Sequence, residues 1–227
     1  MHDYEYLLND KELTNLLSSI NQTDTNAYTA CHGSYHAGFV EKRVEKILTD
    51  LNYDKRTIEI GKITGLIHDI GCISGKKGHA LKSSQMCKKF LCKINVTTLE
   101  KKIITQAILD HSNGNNIKSA IGASLLIADK TNLSKKRILN SNDVNNYHKN
   151  LLEVDKVDVS IIRKDMIINF VAYDKFSIIK LNELWNKAFI VPVKAAKYLN
   201  YTVIFTINDI QINDSLFTCC TLHNEKN

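Results

Sequence analysis

The stretch LIHDIG, residues 66–71, places a histidine and an aspartate side by side at the end of an apolar segment. It closes the longer segment IEIGKITGLIHD, residues 58–69, in which apolar residues recur at helical spacing at Ile60, Ile63 and Ile67. This spacing predicts an amphipathic helix with His68 and Asp69 in its last turn and Gly71 as a left-handed cap. Because a buried ionisable group needs a partner, the pair requires polar partners from elsewhere in the chain.

Before and after this segment, four other polar residues fall on apolar helical faces or at predicted helix ends. They are His36, His79, His111 and Asp129. Several helices could therefore direct their imidazoles and carboxylates toward one point. A divalent metal is the partner that satisfies so many buried groups at once. The donor atoms suit Fe, Mn, Zn, Co, Ni or Mg, and the absence of cysteine from the set argues against a structural zinc site.

The segments that carry these residues resemble the HD-domain superfamily of metal-dependent phosphohydrolases. In chain order they are HGSYHAGFVEKRV (32–44), LIHDIG (66–71), GHALKSSQ (78–85), AILDHSNG (107–114) and LLIADKTNL (125–133). The resemblance covers roughly residues 28–138. It implies one metal held by His36, His68, Asp69 and Asp129. It also implies a second metal held by His79 and His111, with Asp69 as the bridging ligand.

The resemblance implies a reaction as well. It is the cleavage of a phosphoester or phosphoanhydride in a nucleotide or dinucleotide phosphate by metal-activated water, with Asp69 in a catalytic role. Positive side chains would stabilise charge on the phosphoryl oxygens, and the candidates are Lys76, Lys77, Lys130 and Arg43. His32, four residues before His36, has two possible roles, contact with a substrate phosphate or capping of the helix that follows.

Two motifs indicate which branch of the superfamily the chain resembles. AILDHSNG and IADKTNLSKKR (127–137) are similar to the symmetrically cleaving diadenosine tetraphosphate hydrolases, a small bacterial type. The segment after LIHDIG lacks the acidic pair of the guanosine tetraphosphate hydrolases, and a single histidine stands where the cyclic-di-GMP branch has two.

The alternative to a phosphohydrolase is a non-catalytic, metal-containing module that binds a nucleotide and acts in regulation.

Beyond about residue 150 the pattern changes from helical to alternating. Residues 157–162 and the segment MIINFV (166–171) predict two strands, and YTVIFTIND (201–209) predicts a third. Between them lies a helical stripe that contains Trp185 and is interpreted as core, with Pro192 breaking or restarting the helix. The predicted fold is therefore mainly α, with a helical bundle in residues 1–150 and a small α+β unit of β-β-α-β order in residues 151–227. Residues 130–153 are the predicted junction.

The composition excludes several classes of protein. The chain has 227 residues, of which 44% are hydrophobic, and a formal net charge of +6, so it can build a core and favours anionic ligands. No secretory signal, membrane span or nucleic-acid module is recognisable. The protein is expected to be cytoplasmic, with its six cysteines present as reduced thiols. The sequence leaves open whether the chain forms a homodimer. Three histidines match no motif and are predicted to be exposed: His2, His148 and His223.

Overall fold

The fold is mainly α with a small mixed sheet at the C-terminal end, which confirms the predicted fold class. It is known from a computed structural model that describes residues 3–26, 29–139 and 148–212. Within these ranges the helices are α1 (Asp3–Leu8), α2 (Lys11–Asn26), α3 (Ser34–Asp50), α4 (Lys55–Ile67), α5 (His79–Leu91), α6 (Thr98–Asp110), α7 (Ala120–Lys130), α8 (Ile178–Trp185) and α9 (Lys187–Tyr198). The strands are β1 (Val154–Ile162), β2 (Asp165–Ala172), β3 (Thr202–Ile207) and β4 (Ile210–Gln211).

Helix α7 is the central element of the molecule. Every residue from Ile121 to Asp129 is buried, which is the pattern of a helix enclosed on all sides. One side of α7 packs against α3, α4 and α6, and the other side packs against α9. Leu125 belongs to the core of the helical bundle, whereas Leu126 belongs to the core beneath the sheet. The predicted boundary near residue 150 stays a prediction, because residues 140–147 lie outside the described residues.

The C-terminal unit confirms the predicted β-β-α-β order and adds the two-residue strand β4. The sheet order is β1-β2-β3-β4, with β1 antiparallel to β2, β2 parallel to β3 and β3 antiparallel to β4. The buried side chains of β1 and β2 alternate along each strand and pack against α9 through Phe170 and Phe189, whose rings stack with centroids 5.7 Å apart. This packing fixes α9 between the sheet and α7.

Pro192 does not break the helix, contrary to the prediction. The break between α8 and α9 falls at Asn186, and Pro192 lies inside α9 as a buried residue. A proline there removes one backbone hydrogen bond and costs about 3 kcal/mol in a helix interior. The buried face that α9 presents to α7 and β3 offsets this loss, because tertiary packing supplies most of a helix's stability in proteins.

Gly71 does not cap α4, so this prediction is also wrong. Helix α4 ends at Ile67, and Gly71 lies in a short 3-10 helix, Ile70–Ser74, outside the left-handed region. A Cβ atom at Gly71 would lie 2.5 Å from backbone atoms of both His79 and Ser83. Glycine is therefore needed for the close approach of α5 to the segment that follows α4.

Gly65 allows α3 and α4 to pack closely. A Cβ atom there would lie 2.7 Å from the Cα atom and 2.9 Å from the backbone nitrogen of Glu41, so α3 itself would have to move. We expect Gly65→Ala to lower the free energy of unfolding by about 1–3 kcal/mol and the Tm by several degrees, as measured by circular dichroism during heating. Gly38→Ala is the matched control, since its Cβ atom would meet nothing within 4 Å and alanine favours the helix. Equal Tm values for Gly65→Ala and the parent would contradict this account of the interface.

Two further observations bear on the expected compartment. Among the described residues, no helix is both long enough and apolar enough to cross a membrane. The cysteines in the described ranges are free thiols, namely Cys31, Cys72, Cys87 and Cys92. The other two, Cys219 and Cys220, lie outside the described residues.

Candidate metal centre

Three histidines stand at helix boundaries and are fixed there in the same way. Nδ1 of His68, His79 and His111 lies 2.8, 2.8 and 2.6 Å, respectively, from the carbonyl oxygen of the residue three positions earlier. Because a carbonyl oxygen only accepts hydrogen bonds, Nδ1 carries a proton, and Nε2 presents a lone pair when the ring is neutral. A backbone carbonyl that fixes the tautomer in this way is the usual partner of a metal-binding histidine.

The fourth histidine, His36, lies in the first turn of α3 and is fully buried. Its Nδ1 atom is 2.8 Å from the side-chain amide of Asn132, which follows α7. The amide nitrogen is the atom that faces the ring, while Oδ1 of Asn132 is buried without a hydrogen-bond partner among the described residues. If the amide is flipped, its oxygen accepts the Nδ1 proton and leaves the Nε2 lone pair of His36 available.

The four Nε2 atoms meet in two close pairs. Nε2 of His36 lies 3.2 Å from Nε2 of His68, and Nε2 of His79 lies 3.0 Å from Nε2 of His111. Two lone pairs at this separation repel each other unless a shared proton or a metal ion lies between them. Two nitrogens bound to one metal at about 2.1 Å, and at right angles, are about 3 Å apart. The spacing of each pair therefore fits a shared metal ion.

Asp69 stands between the two histidine pairs and directs one carboxylate oxygen toward each. Oδ2 lies 3.5 Å from Nε2 of His36 and 3.4 Å from Nε2 of His68. Oδ1 lies 3.4 Å from Nε2 of His79 and 3.2 Å from Nε2 of His111. Oδ1 is buried without a hydrogen-bond donor among the described residues. A buried carboxylate oxygen that faces two lone pairs is the arrangement a cation would satisfy.

Asp129 completes the first group. Its Oδ1 atom lies 3.2 Å from Nε2 of His36 and 3.9 Å from Nε2 of His68. One ligand atom from each of four buried residues lies within 4.8 Å of the others, and this four-residue cluster could hold a metal ion: His36, His68, Asp69 and Asp129. This is the set that the resemblance to the HD-domain superfamily implies for one metal.

The carboxylates and imidazoles of the cluster shift one another's pKa values. Burial alone would raise the pKa of the Asp69 carboxyl, but the neighbouring imidazoles, above all His68, hold that pKa well below its usual range. Burial has the same effect on Asp129, and there Lys130 and His36 outweigh it, so the pKa is again lowered. Burial lowers the pKa of His36 and of His79, whereas the charges of Asp69 and Asp129 outweigh burial at His68 and raise its pKa. Metals bind ionised carboxylates and neutral imidazoles, so a metal ion at His68 would have to displace a proton.

Cys72 is a possible ligand that the sequence-based prediction leaves out. Its sulfur, a carboxylate oxygen of Asp69 and a ring nitrogen of His79 lie within 4.8 Å of one another. Burial raises the pKa of the thiol well above its usual range, so the thiolate is disfavoured. His111 is the better partner for His79, because its Nε2 atom lies 3.0 Å from that of His79 and its Nδ1 atom is bonded to a backbone carbonyl oxygen.

A cavity of about 410 Å³ opens above the cluster, which is within the usual size range for small-molecule sites. Of the predicted site residues, it is lined by His32, Asp69, Lys76, His79, Asp129 and Lys130. Lys76 and Lys130 therefore lie where a bound anion would meet them. Nζ of Lys130 lies 2.5 Å from Oδ2 of Asp129, and burial, with the charge of Arg137, lowers the pKa of Lys76.

Two predicted phosphate contacts are not brought to this cavity. Lys77 is exposed and is not among the described residues that line it. Arg43 lines a separate cavity and donates hydrogen bonds to Thr131 and to the backbone carbonyl oxygen of Val157. In this position Arg43 joins α3 to the end of α7 and to β1, which is a structural role.

The structure excludes one of the two alternatives for His32. The residue before α3 is Gly33, and no side chain caps that helix end, so the capping alternative is wrong. The His32 ring instead lies at the cavity wall, where its Nδ1 atom is 3.2 Å from both carboxylate oxygens of Asp24. Burial lowers the pKa of His32 to about 4.

Arg137 is a cavity residue that the sequence-based prediction missed. It is 4% exposed and donates hydrogen bonds to the backbone carbonyl oxygens of Cys31 and Asn132. Within the described part of the chain, no carboxylate contacts it. Its charge is therefore available to an anion in the cavity. The residue lies within the IADKTNLSKKR motif, so the signal was present in the sequence.

The C-terminal unit also reaches the cavity. Trp185 is partly buried: it packs against the core beneath the sheet, as the sequence predicted, and it also lines the cavity. His148 was predicted to be exposed, but it is 3% exposed, with its ring centroid 5.4 Å from that of Trp185. Burial lowers the pKa of His148 to about 4. His2 and His223 lie outside the described residues.

The four-residue cluster at the base of the cavity could hold a metal ion, and the wall above it carries the positive side chains Lys76, Lys130 and Arg137. Comparison of the chain with protein-family models and with curated protein sequences found no match.

Proposed function

We propose that this protein is a metal-dependent phosphohydrolase that resembles the HD-domain superfamily. Its substrate would be a nucleotide or dinucleotide phosphate, cleaved at a phosphoester or phosphoanhydride bond. The observation that carries the proposal is the position of Asp69, which directs one oxygen at each of two histidine pairs. Such a carboxylate suits a site for two metal ions.

The residues divide between two metal positions. His36, His68 and Asp129 would hold one ion with Oδ2 of Asp69, and His79 and His111 would hold the other with Oδ1. When bound, such ions supply a water nucleophile of lowered pKa and a positive charge for the phosphoryl oxygens. Imidazole and carboxylate donors suit Fe, Mn, Zn, Co and Ni, and Mg to a lesser degree.

The chain's own cations would orient the phosphate. Arg137 presents a planar guanidinium group whose geometry matches phosphate oxygens. Its hydrogen bonds to two backbone carbonyl oxygens fix that group at the wall. Lys76 and Lys130 add positive charge beside the cluster. Preorganised charges of this kind stabilise a phosphoryl group as it is transferred.

The test combines metal analysis with a hydrolysis panel. We expect the purified protein to contain up to two equivalents of a divalent transition metal, as measured by elemental mass spectrometry. We expect it to release product from at least one member of a panel of nucleoside polyphosphates and dinucleoside polyphosphates. Chelation should abolish turnover, and return of the metal should restore it. A metal-loaded protein that leaves every member of the panel intact would contradict the proposal, and nucleotide binding without turnover would favour the regulatory module.

A further inference from the structure

The wall of the cavity opposite the bundle is built by the C-terminal unit. Helix α8 ends at Trp185 and α9 begins at Lys187, with Asn186 between them. This junction lines the same cavity as Asp69 and Asp129. Buried packing of α9 against α7 and the sheet holds the junction in place. The cavity is therefore lined both by the metal cluster and by the junction of α8 and α9. This junction has no part in the proposed hydrolysis.

Trp185 differs from its neighbours on these helices. Leu181 and Phe189 are 0% and 2% exposed, as expected of core residues. Trp185 is only partly buried and contributes surface to the cavity, while the buried ring of His148 meets it at an interplanar angle of 70°. An edge-to-face contact of this kind fixes the plane of an indole ring. The cavity thus has an aromatic wall in a defined position.

The two sides of the cavity differ in chemistry. One side carries the metal cluster with Lys76, Lys130 and Arg137, which favours phosphate. The other side offers an indole ring, a surface on which planar bases stack irrespective of sequence. A nucleotide combines both features, since it joins an anionic phosphate to a planar base. A sugar phosphate would satisfy only the first side.

We propose that Trp185 is a specificity-determining residue that binds the base of a nucleotide whose phosphate lies at the metal cluster. The inference rests on the proposed function for the position of the phosphate, but it does not require turnover. It assigns the C-terminal unit a role in selecting nucleotides over other phosphate esters.

The first test uses the tryptophan itself as the probe, because Trp185 is the only tryptophan of the chain. Metal-loaded protein is titrated with the 5′-monophosphates of adenosine, guanosine, cytidine and uridine, and with ribose 5-phosphate, with excitation at the red edge of indole absorption. At least one nucleotide should change the indole emission saturably and bind more tightly than ribose 5-phosphate. Equal emission changes and equal affinities for all five compounds would overturn the inference. No variant is needed, so the result does not depend on the folding of a mutant.

The second test measures the contribution of the aromatic ring by calorimetry. Trp185→Ala should weaken binding of the tightest nucleotide by about 5- to 150-fold, the range that base stacking supplies. It should leave binding of ribose 5-phosphate and the metal content unchanged. Trp185→Phe should restore most of the affinity. The matched control is Tyr198→Ala, since Tyr198 is an aromatic residue of α9 that is 44% exposed and lies away from the cavity lining.

The two proposals fail in different ways. If nucleotide affinity is the same in Trp185→Ala and the parent, the inference about the base is wrong, and the hydrolase proposal stands. If affinity depends on Trp185 while every nucleotide is recovered intact, the inference stands, and the hydrolase proposal fails.

Discussion

Asp69→Ala is expected to remove bound metal from the protein and to slow hydrolysis of nucleotide phosphates by at least about a thousandfold. Among residues 3–26, 29–139 and 148–212, Asp69 is the one side chain whose two oxygens face both histidine pairs, so its loss would remove a ligand from each proposed metal position. Without metal, the nucleophile is ordinary water, whose pKa is about 15.7, rather than a bound water with a pKa of about 7. The measurement is metal content by elemental mass spectrometry together with the initial rate of phosphate release.

Two companion variants make this result specific. Asp69→Asn keeps the shape of the side chain but removes the charge that two cations would share, so it should lose activity to a similar degree. Asp50→Ala is the matched control, since Asp50 ends the same helix that carries His36 and pairs with Lys46 at the surface. It should keep the metal and the rate of the parent. Hydrolysis by Asp69→Ala at the parent rate would refute the mechanism.

The site residues that the sequence predicts best are those whose positions depend on local periodicity. His36, His68 and Asp129 each lie on an apolar helical face or at its end, and burial of that face brings them inward. The structure places all three in one buried cluster with Asp69. The helical pattern predicts that these side chains point inward, and the resemblance to the HD-domain superfamily implies that His36, His68 and Asp129 share one metal position with Asp69.

Each site residue that the sequence misplaced or missed has a physical cause. Arg43 lies seven residues after His36, on the same helical face but about 10 Å farther along the axis, and it therefore reaches β1 instead of the cluster. Arg137 lies in a 3-10 turn with no helical period to mark its direction. The position of Trp185 depends on how α9 packs against α7, a tertiary contact that neither segment's pattern contains.

His79→Ala is expected to remove one metal of two and to leave the other in place. His79 contributes to the second histidine pair and is absent from the four-residue cluster. Its side chain is 25% exposed, so its truncation leaves a smaller cavity than loss of the fully buried His36 would. We expect metal content to fall from about two equivalents to about one, and the rate of hydrolysis to fall by at least about tenfold.

His32→Ala is the matched control for this variant. His32 lines the same cavity and is similarly accessible, but it pairs with Asp24 instead of Asp69. It should keep both metal ions, and any effect should fall on KM, because its ring lies where a substrate would bind. Elemental analysis of the three proteins, prepared in parallel with the same metal, makes the comparison.

The number of bound metal ions also decides whether His79 and His111 share a proton or a metal ion. If the parent holds one equivalent and His79→Ala keeps it, the two Nε2 atoms at 3.0 Å share a proton, and Oδ1 of Asp69 balances the charge of that imidazolium pair. Hydrolysis would then rest on the four-residue cluster alone. If the parent holds two equivalents, the same contact marks two ligands of one ion, and Asp69 is the bridge on which both positions depend.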